Sequence, residues 1–141
     1  MIVFGAMSGT STDGVDVAAI QIDPQSAEMR FLGLSSQEFP STLRQDLLVL
    51  QQIPPRFPPG SDPLSMLLQA RRDLSLLYVE ACLELLTLLG LESNDVSVVG
   101  AHGQTIRHRP DLGYTCQMLD GALVAARLGI DVVCDLRSKD V

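Results

Sequence analysis

Residues 2–22 read IVFGAMSGTSTDGVDVAAIQI, and this stretch decides the fold class of the opening part of the chain. The apolar runs at 2–5 and 15–22 are typical of β-strands. The segment between them closes on Asp13 and Gly14, a favoured turn pair because both residues tolerate positive φ. The pattern therefore predicts a β-hairpin with an enlarged loop.

The rest of the chain predicts helices that alternate with strands. Leucines recur at helical spacing in a long helix, for which Asp62 is a suitable N-cap, Pro63 a suitable first residue and Gly90 a suitable end. Further strands are predicted at 28–34, 96–101 and 130–136, and shorter helices at 41–52 and 121–128. Opening strands followed by this alternation favour an α/β (α+β) domain with a mixed sheet over an all-parallel one.

Composition narrows the class of protein and its partners. A chain of 141 residues with 46% hydrophobic residues can bury a core, so it should fold as one domain or one incomplete domain. Its formal charge of -7 gives no general attraction for nucleic acid or anionic membranes, so neither is expected as a partner. Three widely spaced cysteines favour free thiols in a reducing compartment. The N-terminus has no basic leader, and we expect a soluble, cytoplasmic protein.

The first segment with recognisable chemistry is MSGTSTDGVD, residues 7–16. Its glycines allow backbone N–H groups to approach an anion, and its hydroxyl groups, on Ser8, Thr10, Ser11 and Thr12, suit phosphate oxygens. It is not a Walker A motif, because it lacks the GxxxxGK[ST] spacing and leads into a strand. The same residue types are ordinary turn formers, so a purely structural loop is the alternative.

Asp16 ends this segment at the start of a predicted strand. If strand alternation holds, it shares a sheet face with Ala18, Ile20 and Ile22. An unpaired carboxylate on a buried apolar face is costly. We therefore expect Asp16 to have a partner, a metal or a ligand.

Two later segments place polar side chains at the ends of predicted strands, where α/β proteins hold ligands. GAHGQTIRHRP, residues 100–110, offers donors for sugar hydroxyls and cations for a carboxylate or phosphate. His102 could titrate near neutral pH, although a lone histidine is often structural. In CDLRSKD, residues 134–140, Asp135 and Arg137 fall on one side by alternation, as an ion pair or with Arg137 as an anion clamp.

Taken in order, MSGTSTDGVDVA, GAHGQTIRHRP and VVCDLRSKD resemble the anhydro-N-acetylmuramic acid kinase family, whose patterns read MSGTSxDGxD, SHGQTxxHRP and VVxDFRxxD. The resemblance covers essentially the whole chain and is weakest over 21–62. It implies the two-domain, ribonuclease H-like fold shared by hexokinase, actin and Hsp70. Residues 1–141 would then be the N-terminal nucleotide-binding portion, with the second domain absent.

The resemblance also assigns two sets of site residues, position by position. The segment corresponding to the family's ATP-binding pattern comprises Gly9, Thr10, Ser11, Thr12, Asp13, Gly14, Val15 and Asp16. The residues assigned to the sugar are His102, Gly103, Gln104, Thr105 and Arg137. No metal ligand is assigned.

The activity that the resemblance implies is ATP-dependent opening and 6-phosphorylation of 1,6-anhydro-N-acetylmuramic acid, with Mg²⁺, in peptidoglycan recycling by a homodimer. The family's general base belongs to a DTGPGN-like motif and is expected beyond Val141, so no catalytic base is assigned. The 141-residue chain is accordingly expected to be inactive. The alternative is a noncatalytic nucleotide-binding or dimerisation module.

Two departures from the family pattern stand out. Thr12 occupies a position where the family usually has Leu. QMLDGALVA, residues 117–125, replaces a Q-I-G-[DE]-P-A pattern, which predicts a different local turn.

Overall fold

The structure is a computed structural model that describes residues 1–9 and 11–141. Seven strands and three α-helices follow one another within these ranges. In order they are β1 (Ile2–Ser8), β2 (Gly14–Ile22), β3 (Met29–Glu38), α1 (Ser41–Gln51), α2 (Pro63–Leu89), β4 (Val96–Ala101), β5 (Gln104–Arg109), β6 (Tyr114–Met118), α3 (Gly121–Leu128) and β7 (Val132–Val133).

Five of the strands form one mixed sheet in the order β3-β2-β1-β4-β7. The first three strands are antiparallel neighbours, whereas β1, β4 and β7 run parallel to one another. The mixed α/β class is therefore confirmed. Strands β5 and β6 form a separate antiparallel hairpin, which was not predicted.

One face of the sheet packs against α2 and holds the core. Alternate side chains of β2, including Val15, Val17 and Ala19, are buried there. Helix α2 supplies the other wall with a buried series that includes Tyr78 and Leu85. Burial of this continuous apolar surface is the main term that stabilises the domain.

The ends of α2 agree with the sequence prediction. The Asp62 side chain accepts a hydrogen bond from the amide of Leu64, and Pro63 begins the helix. Gly90 ends it in the left-handed region, at φ 64°. These caps satisfy terminal backbone groups that have no partner within the helix.

Several predicted boundaries are wrong. Strand β1 runs to Ser8 instead of residue 5, and the strand predicted at 130–136 is reduced to Val132–Val133. In the opening hairpin the positive φ lies at Thr12 (54°) and not at Asp13 or Gly14. Gly14 is needed for a different reason: a Cβ there would lie 2.4 Å from the carbonyl oxygen of Gln37 on β3.

The opposite face of the sheet carries exposed apolar side chains. Met7, Phe31 and Leu34 are 53–63% exposed on strands β1 and β3. They project away from the face that packs against α2. Separately, none of the helices in the described part of the chain is long and apolar enough to cross a membrane.

Candidate functional site

The candidate site lies where two parallel neighbours, β1 and β4, reach their carboxyl ends. The chain leaves β1 after Ser8, and the described residues 9 and 11–13 are called the β1–β2 loop. Residues 102–105, the 102–105 segment, follow β4 and include the first two residues of β5. The amide of His102 donates to the carbonyl of Ala6 at 3.0 Å, which continues the pairing of the two strands. Carboxyl ends of parallel strands are the usual ligand-binding edge of an α/β sheet. The two predicted segments are thus brought together.

The β1–β2 loop is held around Thr12, a buried residue at φ 54°. Positive φ is unfavourable for a β-branched residue and persists only where surrounding contacts enforce it. The Thr12 amide donates to the carbonyl of Gly9 at 3.2 Å, and the Arg44 guanidinium donates to the Thr12 carbonyl at 3.0 Å. The Thr12 hydroxyl donates to Oε1 of Gln51 at 3.1 Å. Helix α1 therefore enforces the conformation of this loop.

An open depression of about 200 Å³ adjoins the loop. Its walls are formed by Asp13, Gly14, Asp16, Ser36, Gln37 and Glu38. The Asp16 carboxylate accepts from the Ser36 hydroxyl at 2.5 Å, and the Asp13 carboxylate from the Ser11 hydroxyl at 2.7 Å. Three carboxylates at one mouth disfavour a bare anion, so a phosphate here would require a cation to screen it.

Asp16 shares a face with Ala18 as predicted, but the reason given for a ligand there was wrong. Its side chain is exposed, because this face of the sheet is not the one covered by α2. No desolvation cost therefore demands a partner. The carboxylate is available to solvent at the mouth of the depression.

The 102–105 segment lies partly inside the domain. Gly103 is buried at φ 77°, and a Cβ on it would lie 2.8 Å from the Met118 carbonyl oxygen. The Gln104 side chain is fully buried and donates through Nε2 to the carbonyl of Gly9 at 3.2 Å. Its Oε1 is buried with no partner among the described residues. His102 is half-buried, with Nδ1 2.9 Å from the Gly103 carbonyl oxygen.

Comparison with known proteins assigns the chain to a family. The sequence profile described as "Anhydro-N-acetylmuramic acid kinase" matches residues 1–141. The chain belongs to the anhydro-N-acetylmuramic acid kinase family. The resemblance deduced from the three motifs is thereby confirmed.

Two curated relatives of the same name illustrate the match. The protein from Bordetella pertussis (strain Tohama I) is 43% identical over 140 residues, covering 99% of this chain and 35% of the relative. The protein from Burkholderia pseudomallei (strain 1710b) is 42% identical over 144 residues, covering 99% of this chain and 34% of the relative. The chain spans about a third of the length of these kinases.

Two residues assigned from the anhydro-N-acetylmuramic acid kinase motifs are not joined to these segments by the described contacts. Thr10 falls outside the described residues. Arg137 forms an ion pair with Asp140 at 2.6 Å and not with Asp135, so the first of its two alternatives is wrong and its role as an anion clamp stays a prediction. No hydrogen bond or ion pair joins Arg137 to residues 102–105 in the part of the chain that the structure describes. Asp135 turns the chain at φ 58° and accepts from the Ser138 hydroxyl.

The catalytic base that the family motifs imply stays a prediction. The resemblance places it beyond Val141, and therefore outside the residues that the structure describes. Val141 itself follows the short turn Ser138–Asp140 and is 39% exposed. The binding roles assigned to the described residues stay predictions as well.

The cationic run in the family's second motif is largely engaged in internal contacts. Arg107 donates to the carbonyls of Leu50 and Gln52, at 2.5 and 2.7 Å, at the end of α1. Such contacts satisfy carbonyls that have no partner within the helix. Arg109 pairs with Asp111 at 2.7 Å. The run is therefore mainly structural and does not form a cluster around an anion.

Sequence reasoning assigned Tyr78 to the core and missed its contact with the family's first motif. Its hydroxyl lies 3.1 Å from the Ser8 hydroxyl in a buried pair. Burial raises the pKa of Tyr78 to about 12, so the phenol is neutral. Because Ser8 is buried and engaged, it is not the phosphate donor that we predicted. In the sequence, the hydroxyl residues Ser75 and Tyr78 within the apolar stripe of α2 are the signal that could have indicated such a contact.

Among the described residues, no group of three or more His, Cys, Asp or Glu side chains is arranged to hold a metal ion. A larger depression, of about 710 Å³, lies at the other end of the sheet, beside Met1 and the β2–β3 turn. It is remote from the β1–β2 loop and from the 102–105 segment. The β1–β2 loop and the 102–105 segment therefore remain the candidate site.

Proposed function

We propose that this chain supplies the nucleotide-binding part of a kinase that uses ATP to open and 6-phosphorylate 1,6-anhydro-N-acetylmuramic acid. The proposal includes the two-domain architecture of hexokinase, actin and Hsp70, with residues 1–141 as the N-terminal portion. Membership of the kinase family supports it. The mixed sheet also supports it, because the first and second family motifs lie at one edge of that sheet.

The single observation that carries the proposal is the contact between the two motifs. The Gln104 side chain of the 102–105 segment donates to the Gly9 carbonyl of the β1–β2 loop. Phosphoryl transfer requires nucleotide and acceptor to be held within a few ångströms of each other. Adjacent loops on neighbouring parallel strands provide such an arrangement.

On the nucleotide side, the β1–β2 loop and the start of β2 would bind the phosphates. Asp13 and Asp16, whose side chains are exposed, would hold Mg²⁺ together with phosphate oxygens. When bound, the ion screens the charge on the phosphates. This role suits a mouth that is rich in carboxylates and poor in cations.

On the sugar side, His102 and Thr105 are the half-buried members of the segment and would contact hydroxyl groups. In the proposed reaction, the oxygen of water bonds to the anomeric carbon and the bond from that carbon to O6 breaks. O6 takes the γ-phosphoryl group as the bond to ADP breaks. The proton from water passes to a base placed beyond Val141, since the residues up to that point contain no counterpart of the DTGPGN-like motif.

A calorimetric titration with Mg·ATP tests the nucleotide site directly. We expect the 141-residue chain to bind, and Asp16→Asn to weaken binding by about tenfold through loss of a metal-holding carboxylate. Asp131→Asn changes the charge equally at an exposed position outside the depression and serves as the control. Equal affinities for the two variants would contradict the assignment of Asp16.

A turnover assay separately tests whether the isolated chain is inactive. The isolated chain should release no ADP in the presence of the anhydro sugar, because the base and the opposite wall of the cleft are needed to position water. Sugar-dependent ADP release by the purified chain would show that this part of the proposal is wrong.

A second candidate function is self-association of this chain. Strand β3 is an edge of the sheet and exposes Phe31 and Leu34, so a second copy could pair with it and cover the apolar face. Sedimentation should then show a concentration-dependent dimer that Phe31→Lys disrupts. Leu88→Lys is a matched control, because Leu88 is also 63% exposed but lies on α2. A monomer at all concentrations would exclude this function.

A further inference from the structure

We propose that Gln51 is a positioning residue that ties the β1–β2 loop to the 102–105 segment, so that the two parts of the site are mechanically coupled. The consequence for ligand binding rests on the function proposed above. Gln51 is the last residue of α1 and belongs to none of the three family motifs. The coupling between the two segments rests on the hydrogen bonds of Gln51 and does not depend on that function.

The Gln51 amide has one polar atom for each of the two segments. Its Oε1 accepts from the Thr12 hydroxyl at 3.1 Å, and its Nε2 donates to the Thr105 carbonyl at 2.9 Å. A backbone carbonyl can only accept, so the nitrogen must face Thr105 and the oxygen must face Thr12. One planar group therefore fixes both segments at once, in one orientation.

The β1–β2 loop needs support from outside itself. Thr12 is buried in a left-handed conformation that is unfavourable for a β-branched residue. Such a conformation persists only when the surroundings over-determine it. Arg44 holds the Thr12 carbonyl and Gln51 holds its hydroxyl, both from α1. The helix thus maintains the shape of the loop.

The backbone around Gln51 is itself held in place. On either side of it, the carbonyls of Leu50 and Gln52 accept hydrogen bonds from the Arg107 guanidinium of β5. The end of α1 is therefore fixed on the hairpin that continues the 102–105 segment. A side chain with a fixed backbone can transmit a displacement instead of absorbing it.

A second, independent tie joins the same two segments. Gln104 donates to the Gly9 carbonyl, at the other end of the β1–β2 loop from Thr12. The loop is thus held at its beginning by Gln104 and near its end by Gln51. With two ties, a ligand that displaces one segment must displace the other.

Amide hydrogen exchange tests the coupling without any ligand. Gln51→Ala should speed exchange at the Thr12 amide and at residues 105–107 by about tenfold, the scale of one lost hydrogen bond, while α2 is unaffected. Gln52→Ala is the matched control, because it alters an exposed neighbour and keeps the backbone carbonyl that Arg107 uses. Uniform acceleration along the chain, or none at Thr12, would overturn the proposal.

Gln51→Glu separates the two ends of the tie and remains informative if Gln51→Ala does not fold. A carboxylate can still accept from the Thr12 hydroxyl but cannot donate to the Thr105 carbonyl. Exchange should therefore rise at residues 105–107 and stay near the wild-type rate at Thr12. A purely structural residue would not produce this asymmetry, and its absence would count against positioning.

Calorimetry with Mg·ATP and with Mg·tripolyphosphate connects the tie to the proposed function. Gln51→Ala and Thr12→Val should each weaken both probes by about tenfold, and the double variant should lose little more than either single one. Unchanged affinity in Gln51→Ala would refute a role in ligand binding. If the wild-type chain binds neither probe, the nucleotide function fails, and the exchange measurements still decide whether the tie exists.

Discussion

Replacement of Gly14 by alanine should destabilise the domain because of a collision between backbones. The new Cβ would lie 2.4 Å from the Gln37 carbonyl oxygen, whereas ordinary contact starts at 3.4 Å, so β2 and β3 must separate locally by about 1 Å. Overpacking of this kind costs about 1–3 kcal/mol. Weakening the adjacent bond from the Phe39 amide to the Asp13 carbonyl, now 2.8 Å, adds about 1 kcal/mol.

The expected loss for Gly14→Ala is therefore about 2–4 kcal/mol, or roughly 6–15 °C in the unfolding midpoint for a domain of this size. Urea and thermal unfolding followed by circular dichroism would measure it. Gly5→Ala is the matched control on β1, since none of the described atoms outside its chain neighbours lies within 4 Å of the Cβ position. It should change stability by less than about 1 kcal/mol. A Gly14→Ala protein as stable as Gly5→Ala would refute the reasoning.

Two predictions concern the buried titratable groups of α2. In native protein, Cys134 should react rapidly with a thiol reagent at about pH 8, Cys116 more slowly because partial burial raises its pKa, and Cys82, which is buried, only after unfolding; three equally fast thiols would contradict the packing. Burial raises the pKa of Tyr78 from 10.0 to about 12 and that of Cys82 from 9.0 to about 12. Both groups are neutral when protonated, so between about pH 9 and pH 12 the unfolded chain loses protons that the native protein keeps. The stabilisation from keeping these two groups protonated is therefore present in full below about pH 9. Between about pH 9 and pH 12 the free energy of unfolding should fall by a few kcal/mol. Urea unfolding at several pH values would measure this fall, which should be shallower in Tyr78→Phe, and a stability that does not change over this range would contradict it.

Local signals predicted much of the fold. The N-cap at Asp62, Pro63 and the terminal Gly90 give α2 its observed ends, because each acts within a few residues along the chain. The predictions for two short elements were wrong because local pattern did not decide their pairing. The β5–β6 hairpin has no simple alternation, and the apolar run at 130–136 pairs with β4 for only two residues before Asp135 turns the chain.

The candidate site was predicted as a list of residues but not as an arrangement. The motifs correctly directed attention to the β1–β2 loop and the 102–105 segment, since their residue types suit phosphate and sugar. The internal roles of Ser8, Gln104 and Arg107 were not foreseen. Each depends on burial, which residue type alone does not reveal.

The sequence by itself determined the mixed α/β class, the limits of α2 and membership of the kinase family, because these depend on local patterns and on ordered motifs. Only the tertiary structure decided how the site is held together. The contacts that matter join residues far apart in the chain: Thr12 and Gln51 are 39 apart, and Gly9 and Gln104 are 95 apart. Such pairs are brought together by sheet order and helix packing, so their energies cannot be read from neighbouring residues.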